Sequence, residues 1–124
     1  MMTDQQIHDI ATTHIQRYGA DLTLSRPIVF TEPDGVFYKV NRPKIDKSTN
    51  LVSPFFVLRD TGRVVSISAG QVMPGIVTKL WGWAAMRADP DLQIAVVDPN
   101  LDKPRHVEVW GAIIRECIGS ETTA

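Results

Sequence analysis

The stretch Pro54–Ser68 constrains the fold more than any other part of this chain. Two β-rich runs, Phe55–Leu58 and Arg63–Ile67, flank Asp60-Thr61-Gly62. Asp opens the short connection and Gly closes it, and Gly reaches positive φ without steric cost. The pattern predicts a β-hairpin. Phe55 and Val57 fall on one face of the first strand, and Phe56 and Leu58 on the other. With apolar residues on both faces, these strands read as inner strands covered on two sides.

The rest of the chain supplies partners for that hairpin. Thr3–Tyr18 predicts an amphipathic helix, with Thr3 and Gln6 at capping-box spacing. Ile7, Ile10, Ala11, His14, Ile15 and Tyr18 form its stripe, and Gly19 follows as a left-handed cap. Ala20–Arg26 reads as a connection. Pro27–Glu32 and Val36–Asn41 read as strands around a Pro33-Asp34-Gly35 turn, with Phe37 and Lys39 on one face of the second and Val36, Tyr38 and Val40 on the other. Arg42–Ser53 is a polar loop. Ile76–Arg87 carries i, i+4 apolar pairs and reads as a helix, with a strand left open because Trp81 and Trp83 would then share a face. Leu92–Val97 is a candidate strand between two Asp-Pro turns. Arg105–Ile118 predicts a closing helix, with Val109, Ile113, Ile114 and Cys117 as its stripe, Gly119 as its stop and Ser120–Ala124 as a frayed tail. These elements make an α+β fold: an N-terminal helix, a mainly antiparallel sheet of four to five strands, and helices covering one face.

Size and charge bound the function. A chain of 124 residues, 44% of them hydrophobic, predicts a single domain over residues 1–124 with a core that needs no metal or disulfide. The net charge of −1 balances 13 basic against 14 acidic side chains, which argues against a dedicated nucleic-acid binder. Cys117, the only cysteine, allows no intramolecular disulfide, which fits a reducing compartment. The polar N-terminus has no apolar signal core, and Ile76–Met86 is far short of the ~20 residues that span a bilayer. The expectation is a cytoplasmic protein with no membrane partner and no cofactor.

No residues spell out a reaction. His8 and His14 are six apart and diverge by roughly 120° on a helix, so they do not clamp one metal. Cys117 lies on an apolar stripe and reads as a small buried hydrophobe. Asp89, Asp91, Asp98 and Asp102 lack the calcium-loop pattern; turn and capping roles explain them, with an acidic contact surface for a basic partner as the functional reading. Arg42, Lys44 and Lys47 form a small basic loop, either solvated or, with Lys39, able to grip phosphate. Trp81, Trp83 and Trp110 are either core residues or, where exposed, binding hot spots.

From Leu24 to Ser68 the order of elements resembles a known family. Gly35-Val36-Phe37-Tyr38-Lys39-Val40 and Pro54-Phe55-Phe56-Val57-Leu58-Arg59-Asp60-Thr61-Gly62-Arg63-Val64 resemble the strand and hairpin of bacterial toxin-immunity proteins of the YrhB-like type. Val36 stands where that family has a Trp. The resemblance implies a small non-enzymatic protein that binds a cognate protein toxin and occludes its active site. Asp89, Asp91, Asp98, Asp102, Arg42, Lys44, Lys47, Trp81 and Trp83 are the candidate contacts. The alternative is a ligand-binding or enzymatic domain with an apolar pocket between helix and sheet, lined by Phe30, Phe37, Tyr38, Trp81 and Trp83.

Overall fold

Thr3 starts the first helix as its spacing predicts. In a computed structural model that describes residues 1–41, 54–67, 72–97 and 102–122, Gln6 N donates to Thr3 Oγ1 at 3.2 Å and Thr3 N donates to Gln6 Oε1 at 2.9 Å. Both orphan amides are thereby satisfied. Helix α1 runs Asp4–Gln16 and ends earlier than expected: the cap is Arg17 in right-handed geometry, and Gly19 does not take positive φ. Tyr18, assigned to the stripe, is exposed.

The chain divides into two compact units, Met1–Ile67 and Ser68–Ala124. Among the described residues the first holds every strand. Strands β2 (Ile28–Thr31), β3 (Asp34–Tyr38), β5 (Phe55–Leu58) and β6 (Val64–Ser66) form an antiparallel sheet in the order β2-β3-β5-β6. The 55–66 hairpin is present, and Gly62 closes its turn at φ +71. A second, two-stranded sheet pairs β1 (Thr23–Leu24) with β4 (Val40–Asn41). The reading of 20–26 as a plain connection is therefore corrected; two residues are too few to show a period in sequence.

A second correction concerns Gly35. It is not a turn residue at positive φ but lies inside β3, opposite Phe30 on one side and Leu58 on the other. Its missing side chain seats the Phe56 ring, and an added Cβ would strike that ring and the Val57 carbonyl. Thr31 and Asp34 face each other at the end of this hairpin, with Glu32 and Pro33 forming the turn through a cis peptide bond.

Helix α1 lies on the face of the sheet that carries Val36, Tyr38, Phe55 and Val57. Ile7, Ala11, Ile15 and Leu22 complete that core. Ile7, Ala11, Phe55 and Val57 have no exposed surface, so the middle of the helix–sheet interface is closed to solvent. Phe30, Phe37 and Phe56 project from the opposite face and are also buried, as the two-sided apolar pattern of the hairpin implies.

The second unit is helical: α2 (Val72–Leu80), α3 (Gly82–Ala88), α4 (Pro90–Val97) and α5 (Pro104–Thr122). The helix reading of 76–87 holds, with a break. Trp81 N still donates to Val77 O at 3.0 Å, but Gly82 turns to φ +81 and the helix restarts. The strand expected over Leu92–Val97 is overturned, because this segment is α4. Asp89 Oδ1 accepts from Leu92 N at 3.2 Å, and Pro90 occupies the first helical position, where its missing N–H costs nothing. Leu92 and Ala95 are buried, and Trp110 Nε1 donates to the Ala95 carbonyl at 2.7 Å, tying α4 to α5. Helix α5 passes through Gly119, which does not stop it, and continues into the segment expected to fray. Its Val109, Ile113, Ile114 and Cys117 stripe is buried as expected.

Candidate partner-binding surface

The candidate acidic residues separate by what their neighbours ask of them. Asp89 is committed within the fold: it caps α4, and its Oδ2 meets Arg105 Nη2 at 3.0 Å. The Leu92 amide, and then the Arg105 guanidinium, hold its carboxyl below the ordinary carboxylate range. Arg105 also reaches Glu108 at 3.4 Å. Asp91 stands in the first turn of α4 and is exposed, and Asp102 is exposed just before α5. Asp98, with Arg42, Lys44 and Lys47, lies outside the described residues.

The tryptophans separate in the same way. Trp110 is buried with its N–H satisfied, and Trp81 is half-buried at the α2–α3 break. Trp83, at 55% exposure, belongs to the surface. Alongside it on α3, Ala84 and Ala85 are exposed, and α4 leaves Ile94 at 51% exposure. Ile94 was missed in sequence because Leu92–Val97 was read as a strand. The helical period puts Leu92 and Ala95 inside and Ile94 outside. Helices α3 and α4 thus present Trp83, Ile94 and Asp91 to solvent.

Among the described residues the middle of the α1–sheet interface is closed to solvent. Tyr38 faces α1, whereas Phe30 and Phe37 face the other way, so these rings do not line one cavity. Two open grooves flank α1 instead. One, of about 330 Å³, has His14, Arg17, Asp9 and Val64 on its walls; the other, of about 240 Å³, has His8, Asp4, Val29 and Tyr38. The two histidines therefore sit on opposite flanks of the helix, as their spacing predicts. The His14 ring lies tilted 4.6 Å from Phe55 and edge-on 5.5 Å from Tyr18; burial, and then the charge of Arg17, lower its pKa. Burial and then Asp4 raise that of Tyr38, against the pull of Arg59. Among the described residues no cluster of His, Cys, Asp and Glu is placed to hold a metal ion.

Arg59 was not singled out from sequence, yet it joins three segments of the first unit. Its guanidinium meets Asp34 Oδ1 at 3.0 Å, Asp4 Oδ1 at 2.7 Å and the Met2 carbonyl at 2.9 Å. The Asp4 hydrogen bond is the largest cause of its raised pKa. No spacing in a sequence announces contacts between residues 2, 4, 34 and 59, so no local signal was there to find. No helix of the described residues is long and apolar enough to cross a membrane. Compared with protein-family models, curated proteins and solved structures, the chain matches none.

Proposed function

We propose that this protein acts by binding another protein, in the manner of an immunity protein that neutralises a cognate toxin by occluding its active site. The observation that carries this reading is Trp83, a large ring more than half exposed on α3, with Ile94 exposed on α4. Exposed Trp is the side chain most often found at the energetic centre of protein interfaces. Asp91, exposed on the same helix as Ile94, suits a partner with a basic rim and speeds its approach. The α1–sheet core is closed to solvent and the grooves beside α1 are open, which favours a binding module over an enzyme with an enclosed pocket.

The test is co-expression with each product of the flanking genes, followed by size-exclusion chromatography. The expected result is a stable complex that abolishes the neighbour's toxicity and that Trp83→Ala weakens by about thirtyfold, the size of a hot-spot loss. Retention of no neighbouring product at micromolar protein, or a complex indifferent to Trp83→Ala, sinks the proposal.

A further inference from the structure

Strand β2 ends the sheet, and its outer side has a definite hydrogen-bonding register. Arg59 N donates to Asp34 O at 3.1 Å, and Ser25 N donates to Lys39 O at 3.0 Å. Backbone groups alternate sides along a strand, so the even residues of β3 bond β5 and the odd ones face β2. Ile28 and Phe30, opposite Phe37 and Gly35, therefore spend their main-chain groups on β3. Those of Val29 and Thr31 point away from the sheet. Among the described residues no strand pairs with that side. Pro27, Val29 and Thr31 are exposed, and Val29 is 57% so. An exposed β-branched edge strand is a template for another strand.

We infer that a second copy of this chain pairs antiparallel with β2 across a two-fold axis at Val29. The register makes the segment complementary to itself. Each Val29 N–H donates to the carbonyl of the partner's Val29, and each Thr31 N–H to the carbonyl of the partner's Pro27. Proline has no N–H to donate and needs only to accept there. Ile28 falls opposite the partner's Phe30, an aromatic–aliphatic pair of the kind that stabilises sheets. Just beyond the ends of β2, Arg26 and the partner's Glu32 are brought to the same end of the pairing, so unlike charges approach each other at both ends. The backbone complementarity follows from register, and the charge at each end adds to it.

Pairing strands this short buries less surface than a standard interface, so dissociation falls in the range of roughly tens to hundreds of micromolar. Sedimentation velocity on the full chain from roughly 1 µM to 1 mM should show a monomer–dimer equilibrium. Val29→Lys, on an exposed position that leaves the β2–β3 ladder intact, should weaken the dimer by at least about tenfold with unchanged circular dichroism. Arg26→Glu should weaken it by about tenfold, because two like-charge pairs replace two unlike ones, and adding Glu32→Arg should restore it. A monomer throughout the range overturns the inference. So does a dimer indifferent to Val29→Lys, or one that the double charge exchange does not restore.

Discussion

Gly35→Ala is the substitution that best separates two accounts of this sheet. As a turn glycine, Gly35 would lose about 1 kcal/mol on gaining a methyl group, the ordinary cost of a left-handed position. The structure demands more. A Cβ at Gly35 would lie 2.5 Å from Phe56 Cε1 and Cζ, and closer still to the Val57 carbonyl oxygen. Carbon atoms pack at about 3.5–4.0 Å, so the ring would have to withdraw by at least ~1 Å. It has nowhere to go, since Phe56 has no exposed surface and its ring packs edge-on against Phe30 at 5.9 Å. The Val57 carbonyl belongs to the ladder between β3 and β5, where residues 36 and 57 face each other. Overpacking costs typically ~1–3 kcal/mol, and a backbone obstacle places this case at the top, about 3 kcal/mol and about 10 °C in Tm. Urea unfolding by circular dichroism measures the loss. Phe56→Leu combined with Gly35→Ala should show a coupling of the opposite sign, because it clears the ring and leaves only the carbonyl. A loss below about 1 kcal/mol, or no coupling between the two positions, would refute the close-approach account.

Further outcomes follow from single contacts. Trp110→Phe keeps the ring but removes the N–H that Ala95 O accepts at 2.7 Å, leaving a buried carbonyl short of a donor; urea unfolding should show a loss of about 1–2 kcal/mol. Thr3→Ala removes the oxygen that caps α1 and should cost about 1 kcal/mol in the same assay. His14 has a folded-state pKa below its ordinary 6.5, so the folded state disfavours its protonation. Its contribution is present above that value and is lost as pH falls through the folded pKa. His14→Gln should therefore flatten the acid side of a Tm-against-pH profile; an unchanged slope would contradict the burial of this ring.

What was legible in the sequence was what short-range chemistry decides. Thr3 and Gln6 cap α1 because both donor and acceptor lie within one turn. Gly62 closes the hairpin because the turn itself requires positive φ. The apolar faces of β3 and β5 are right for the same reason, since alternation needs no knowledge of the partner strand. Gly35 was misassigned because Pro-Asp-Gly has the composition of a turn, while the need that Gly35 meets comes from Phe56 and Val57, about twenty residues further on. The candidate surface shows the same limit. Asp89 and Asp91 are alike in sequence, yet the first is occupied by Leu92 and Arg105 and the second is exposed. Only the fold tells a capping carboxylate from one that is available.

Leu92–Val97 shows how far that limit reaches into function. Leu-Gln-Ile-Ala-Val-Val is apolar at nearly every position, so neither a period of two nor one of 3.6 stands out. Its flanking Asp-Pro pairs serve equally as turns and as helix starts. Asp89, bonded to the Leu92 amide, and Trp110, bonded to the Ala95 carbonyl, decide for the helix. That decision also sets which side chain is left outside. In a strand, Leu92, Ile94 and Val96 would share one face; in α4, Leu92 turns inward with Ala95, and Ile94 is exposed. A capping hydrogen bond at Asp89 thus determines whether Ile94 is a core residue or part of the surface on which the proposed partner docks. If the proposal is right, Ile94→Asp should weaken the complex while leaving α4 folded.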